Sequence, residues 1–339
     1  RKICDSRHAS SCGRAVAMRA SRVVETTDVQ KVKYKDGTKT INGFRVFPEH
    51  LGEGSFAKVK RCEEEETGRI FAMKVFRKLP LRKQREFLRA EGGEGMRVRT
   101  SLDKVYSELN LMKEICHPHC VRLYAIFDEE HQNGKIYAVM EHVGGGQVME
   151  WCDQECRYRA SDEGKGLLPE AIVNTYLSDL LVALSYLHGC RIAHRDVKPQ
   201  NLLVGSPLKL GDFGVATRMD EDHLVHGTEG TYHFFSPEMC ARGYCGHDGR
   251  RADIWATGVC VWAFLLGTLP YWHKDLAVLM DCIAFEEVKW PEPGTFVSHS
   301  SCELLAQLLC KDPSKRPLAE ELLLQGILQK GGQQTSGAG

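Results

Sequence analysis

The residues best equipped for chemistry cluster in two short stretches. One is His194-Arg195-Asp196-Val197-Lys198-Pro199-Gln200-Asn201, and the other, sixteen residues beyond Asp196, is Asp212-Phe213-Gly214. A carboxylate such as Asp196 accepts the proton of a hydroxyl as that hydroxyl becomes a nucleophile. The Asn201 amide and the Asp212 carboxylate are hard oxygen donors of the kind Mg²⁺ takes. Lys198 is placed to neutralise charge on a transferring phosphoryl group. Singly, each residue reads as a cap or a surface charge. In this order they point to phosphoryl transfer.

Two further features belong to the same chemistry. Gly52-Glu53-Gly54-Ser55-Phe56-Ala57-Lys58-Val59 sits between two stretches that alternate like strands. Glycines let a backbone approach phosphate closely, although glycine turns in plain hairpins are common. The strand–turn–strand setting is unlike the strand–turn–helix setting of dinucleotide and P-loop sites. Downstream, Ala72-Met73-Lys74 lies in an apolar run, and Glu108 lies on an amphipathic stretch. A lysine that grips phosphates needs an anion to hold it in place.

The positioning elements follow from periodicity. Alternation at 44–47, 57–60 and 70–76 predicts strands, and Glu66-Thr67-Gly68-Arg69 predicts a hairpin turn. Strands are also expected at 121–127 and 136–140. Val105, Leu109, Met112 and Cys116 recur at helical spacing. Pro169 opens a helix whose apolar positions run Ile172, Tyr176, Leu180, Leu184 and Leu187, and Gly189 closes it. A strand-rich first third therefore precedes a mostly helical remainder. Residues 77–104 carry nine basic and four acidic side chains and read as a solvated insert or loop. Residues 151–167 read as an insertion ahead of the Pro169 helix.

Composition removes several classes. The chain has 339 residues with 42% hydrophobic and 27% charged side chains, enough for a large core. Lys+Arg and Asp+Glu are balanced at 45 each, which argues against a dedicated nucleic-acid binder. Fourteen cysteines without framework spacing indicate a reduced, cytoplasmic chain. The uncharged run 254–272 approaches the length of a membrane span, but it stands alone and reads as a buried helix. Cys116-His117-Pro118-His119-Cys120 has ligand-type residues too close together to surround one zinc. Residues 1–24, with six basic residues and one acid, have a transit-like composition; starting at Arg1, they are read instead as a flexible extension of a fragment.

The ordered set Lys74, Glu108, Asp196, Asn201, Asp212 resembles the eukaryotic serine/threonine protein kinases over residues 44–328. The resemblance implies an α+β, two-lobe protein kinase fold: an antiparallel-sheet N-lobe with one key helix, and a mainly helical C-lobe. The domains would be an N-terminal extension at 1–43, the N-lobe at 44–142, the C-lobe at 143–330 and a tail at 331–339. It implies ATP and Mg²⁺ as cofactors. Lys74 would contact the α- and β-phosphates and pair with Glu108, Asp196 would be the base, and Lys198 would contact the γ-phosphate. Asn201 and Asp212 would hold the metal. Leu51, Gly52, Gly54, Val59, Ala72, Met140, Glu141, Val143 and Leu203 would surround the nucleotide, with Met140 as gatekeeper. Met112, Leu123, His194 and Phe213 match the family's regulatory spine. Ser236-Pro237-Glu238 would close the activation segment, Glu238 pairing with Arg316, and Asp253 would anchor the catalytic loop. Ala57 stands where the family has a third glycine. Lys198 together with Thr231 resembles the Ser/Thr rather than the Tyr branch.

The resemblance implies that Arg195 pairs with a phosphate on the activation segment, with Thr228 the candidate phosphosite and an upstream kinase as its source. Val105-Tyr106-Ser107-Glu108, Gly146-Gln147-Val148-Met149-Glu150 and Asn201-Leu202-Leu203-Val204-Gly205 resemble the calcium/calmodulin-dependent protein kinase kinases, which makes other kinases candidate substrates. No basic amphipathic helix follows Gln325, so no calmodulin target is visible there. The competing reading is a pseudokinase scaffold that binds nucleotide without turnover.

Overall fold

The computed structural model describes residues 23–53, 57–89, 96–161, 166–241, 244–290 and 297–325. The N-lobe is built on one eight-stranded sheet. Its strands are β1 (Val24–Thr26), β2 (Lys31–Lys33), β3 (Lys39–Ile41), β4 (Phe44–Glu53), β5 (Ala57–Glu64) and β6 (Ile70–Arg77), followed after an interruption by two more. The interruption comprises a short helix α1 (Lys78–Lys83), a separate hairpin of β7 (Arg85–Arg89) and β8 (Met96–Thr100), and helix α2 (Ser101–Met112). The sheet resumes with β9 (Leu123–Asp128) and β10 (Lys135–Glu141), in the spatial order β1-β9-β10-β6-β5-β4-β3-β2.

That order forces the sheet to curl. β1 and β2 form its two edges, yet only residues 27–30 separate them. Eight flat strands would span about 34 Å, whereas the link reaches at most about 18 Å. The edges must therefore approach each other. They do: Lys31 of β2 pairs with Glu129, just beyond β9, and its ammonium lies 5.3 Å from the centre of the Tyr137 ring on β10.

Alternation divides the side chains between the two faces. Phe71, Met73, Val75, Tyr137 and Val139 fill the inside of the curl with Ile41, Val46 and Cys62. Phe76, Ile136 and Ala138 face the other way, onto α2 and the rest of the protein. Lys74 shares this second face, because side chains along a strand alternate. The curl thus commits one face of β6 to structure and frees the other for the cleft.

A capping box sets the start of α2. The Thr100 hydroxyl accepts from Asp103 N–H at 3.2 Å, and Asp103 accepts from Thr100 N–H at 2.8 Å, a motif worth about 1 kcal/mol. Val105, Leu109 and Met112 are buried on one face of the helix, while Cys116 falls beyond its end and is exposed.

A further hairpin, β11 (Met149–Cys152) with β12 (Arg157–Ala160), leads into α3 (Glu170–Gly189). The remaining helices are α4 (Pro237–Cys240), α5 (Gly249–Leu266), α6 (Leu276–Phe285), α7 (His299–Leu308) and α8 (Ala319–Leu324). α5 absorbs most of the long uncharged run, and it is buried on every side. The Asp248 side chain caps its start, and Gly267, at φ +67°, ends it in the left-handed conformation that glycine tolerates. No described helix is long and apolar enough to cross a membrane.

Four local expectations differ from the structure. Residues 24–41 contribute three strands. The insert at 77–104 carries a helix and a hairpin, with Phe87 and Val98 exposed as cross-strand partners. Residues 149–160 are a hairpin, at the head of the part expected to be mostly helical and overlapping the stretch 151–167 read as an insertion. On α3, Ile172 faces solvent, and the buried stripe runs through Val173, Leu177, Leu180, Leu184 and Leu187. Apolar residues at i and i+1 offer two phases for one helix, and packing selects the second.

Candidate active site

Two clusters of charged and polar groups face each other where the lobes meet. In the first, the Lys74 ammonium on β6 lies 2.7 Å from Glu108 Oε1 on α2 and 3.1 Å from Asp212 Oδ1. Burial alone would lower the Lys74 pKa, but the two carboxylates outweigh it and hold the ammonium firmly charged. The Lys74 charge, reinforced by its hydrogen bond, holds Asp212 below the usual carboxylate range against burial. About half of the Asp212 side chain stays open to the cleft. Its backbone takes φ +57°, a conformation that costs a non-glycine residue about 1–2 kcal/mol.

The second cluster gathers around Asp196. Lys198 Nζ lies 2.7 Å from its Oδ2, and the Thr231 hydroxyl donates to its Oδ1 at 2.7 Å. Lys198 also donates to the Thr231 oxygen at 2.9 Å. The Asn201 amide nitrogen donates to the Asp196 carbonyl at 2.7 Å and to its carboxylate at 3.0 Å. With the nitrogen so engaged, Asn201 has only its amide oxygen left to offer a ligand.

Backbone contacts tie the clusters together. Gly211 N–H donates to the Asn201 carbonyl at 2.8 Å, and His194 Nε2 lies 3.1 Å from the Gly211 carbonyl oxygen. The His194 and Phe213 rings meet edge to face at 5.2 Å. Asp253, at the head of α5, accepts from the N–H groups of both His194 and Arg195, at 2.9 and 2.8 Å. Arg195 is held at φ +66°. Met112, Leu123, His194 and Phe213 are all buried.

Several of the residues predicted around the nucleotide share the sheet face that carries Lys74. Antiparallel register sets Met140 against Ala72 and Val59 against Lys74. Glu141 N–H bonds the Arg122 carbonyl, and its carboxylate pairs with Lys209 at 2.9 Å. Gly146 and Val148 zip onto the 202–204 segment, which sets Leu203 opposite Gln147 on the chain that leaves β10 through Val143. Leu51 is an exposed apolar side chain on β4. A Cβ on Gly52 would meet no atom of the described residues within 4 Å, so packing against them does not require glycine there. Close approach of a ligand would. Gly54 lies outside the described residues.

Farther out, Arg316 is fully buried and clamps Glu238 with two bonds of 2.9 and 3.1 Å. Thr228 is exposed. The side chain on Arg195 belongs to its neighbour Glu229, at 3.1 Å, and Glu229 also bonds Lys104 at 2.7 Å. Neither Lys104 nor Glu229 stood out in the sequence. The available signal was the spacing of Lys104 and Glu108, one turn apart on a single helix face. A second unanticipated contact joins the β11–β12 hairpin to the catalytic loop: the Gln200 amide donates to the Tyr158 hydroxyl at 3.1 Å.

Comparison with known proteins agrees with this geometry. The protein kinase domain family matches residues 46–326. A probable serine/threonine-protein kinase of Dictyostelium discoideum is 32% identical over 300 residues, covering 87% of this chain and 39% of that protein. A calcium/calmodulin-dependent protein kinase kinase of Caenorhabditis elegans is 30% identical over 316 residues, covering 90% of this chain and 55% of the relative. A CBL-interacting serine/threonine-protein kinase of Arabidopsis thaliana is 31% identical over 286 residues, covering 83% and 57%. The chain belongs to the protein kinase family, and it spans 39% to 57% of the length of these three relatives.

Proposed function

We propose that the chain transfers the γ-phosphoryl group of ATP to serine or threonine hydroxyls of proteins. The observation that carries this reading is the bonded set Asp196–Lys198–Thr231–Asn201 placed beside Lys74–Glu108–Asp212. The acceptor hydroxyl loses its proton to Asp196 as its oxygen attacks the γ-phosphorus, and the bond to the β-phosphate oxygen breaks. Lys198 balances the charge on the moving group, and Thr231 orients the Asp196 carboxylate. Lys74, held by Glu108, grips the phosphates left behind. Val59, Ala72 and Leu203 sandwich the adenine, Leu51 and the Gly52-x-Gly54 turn cover it, and the backbone of 141–143 reads its edge below Met140.

The donor set fits a magnesium ion. The Asn201 amide oxygen and the Asp212 carboxylate are hard ligands, and two protein ligands suit a metal that keeps water and phosphate oxygens around it. When bound, the metal screens phosphate charge. Asp212 is well suited to hold it because Lys74 keeps its carboxylate ionised.

Among protein substrates, other kinases are the class to test first. The support is the 30% identity to a protein whose name says it phosphorylates a kinase. The test is phosphate transfer from Mg-ATP to Ser/Thr and Tyr peptides and to intact kinases, with Asp196→Asn beside the parent. The expected result is transfer to Ser/Thr acceptors, with kcat reduced at least about a hundredfold in the variant, the lower bound typical of a general base. Nucleotide binding without turnover would favour a scaffold instead.

A further inference from the structure

Arg195 and Lys104 come from different lobes and converge on one acidic side chain. Arg195 follows His194 in the catalytic loop, and Lys104 is in the first turn of α2, four residues before Glu108. Glu229 lies on the segment between Asp212 and Glu238. Its Oε1 accepts from Lys104 Nζ at 2.7 Å, and its Oε2 accepts from Arg195 Nη1 at 3.1 Å. The Arg195 guanidinium is almost wholly buried, and it donates as well to the Gly227 carbonyl at 2.8 Å. Lys104 donates in addition to Glu86 of β7 at 2.8 Å. Burial would push the Glu229 pKa up, but Lys104, Arg195 and Arg99 pull it down, so the carboxylate stays ionised.

The backbone is shaped for this contact. Gly230 takes φ +125°, and a Cβ there would fall 2.4 Å from the Arg195 carbonyl oxygen. The segment thus lies directly against the catalytic loop, and the next residue, Thr231, delivers its hydroxyl to Asp196. One carboxylate therefore connects three parts: α2, which positions Glu108 and through it Lys74; the catalytic loop; and the segment that carries Thr231. A phosphate added to an activation segment makes the same kind of connection, through charge-assisted bonds to arginine and lysine.

We propose that Glu229 is a built-in anion that takes the place of an activating phosphate, so that the site assembles without modification of the segment. The proposal rests on the kinase reading. It assigns Glu229 and Lys104 as positioning residues, and it moves the regulatory role away from Thr228, whose exposed side chain is one residue off the cations.

The test compares the full chain before and after treatment with a broad-specificity phosphatase, with loss of phosphate verified by mass spectrometry. Steady-state transfer from Mg-ATP and thermal unfolding are measured for the parent, Thr228→Ala, Glu229→Gln, Glu229→Asp and Lys104→Gln. If Glu229 is the anchor, the dephosphorylated parent and Thr228→Ala retain kcat within about twofold, while Glu229→Gln and Lys104→Gln lose about tenfold or more, the size usual for coupled sites. KM for ATP changes little, the unfolding temperature holds, and Glu229→Asp restores part of kcat. Activity that disappears with phosphatase and returns when a kinase phosphorylates Thr228 overturns the proposal. So does a Glu229→Gln variant as active as the parent, or one whose lost activity only follows a fallen unfolding temperature. A parent that binds Mg-ATP but turns over in neither state overturns the kinase reading, and this inference with it.

Discussion

Asp253 is buried away from the cleft and still sets the shape of the catalytic loop. Burial on its own would raise its pKa. The hydrogen bond and charge of His188, the charge of His194 and the His194 N–H outweigh that and hold it below the usual carboxylate range. A carboxylate whose pKa is depressed by folding contributes stability above the unfolded value, about pH 4, and loses it as pH falls through the folded value. Asp253→Asn leaves two backbone N–H groups competing for one oxygen. We expect it to lower stability by about 3 kcal/mol near pH 7, in the range for a broken buried charge network. The difference from the parent should hold down to about pH 5 and shrink below about pH 4, measured by urea unfolding across pH. Arg195, whose N–H bonds Asp253, pays its conformational penalty locally, so kcat should fall as well.

At the scale of elements, helix α5 shows how packing overrides local preference. A Cβ on Gly258 would lie 2.8 Å from Leu308 Cβ and 2.9 Å from Leu309 Cδ2, where α7 crosses. Glycine inside a helix costs about 1 kcal/mol relative to alanine. Overpacking a filled core costs about 1–3 kcal/mol. The second effect wins, so Gly258→Ala should lower stability by about 1 kcal/mol, read from the shift in denaturation midpoint at unchanged slope. The sequence made α5 legible, because the long uncharged run 254–272 has few readings other than a buried helix. It hid the three-residue strands: Lys31-Val32-Lys33 is too short to show a period and is exposed throughout. The β7–β8 hairpin was hidden for a related reason. Its apolar pair, Phe87 and Val98, faces solvent instead of marking a core.

At the scale of the whole molecule, legibility follows sequence distance. The 194–201 loop and the Asp-Phe-Gly turn are each an unbroken run with only residues 202–211 between them, and their order alone points to phosphoryl transfer. Lys74 and Glu108 could be matched because a strand and a helix of definite pattern carry them. The Lys104–Glu229 contact spans 125 residues between two otherwise ordinary side chains, and only the assembled fold brings them together. The Tyr158–Gln200 contact is of the same kind. What the sequence withholds is less which groups would carry the proposed chemistry than which groups hold them still.

The curled sheet behaves as a hoop whose two rims share one short covalent link. Both of its rims, β1 and β2, hang on the link at 27–30, so one cut there releases them together. A three-residue strand on a severed end has too little pairing to stay docked. Limited proteolysis confined to this link should therefore bare the outer edge of β9 and loosen β2, giving two unpaired backbone ladders ready to join another chain. The expected readout is a rise in light scattering after the nick, with the intact protein steady at the same concentration. By this reasoning the residues ahead of β4 guard the protein against its own neighbours.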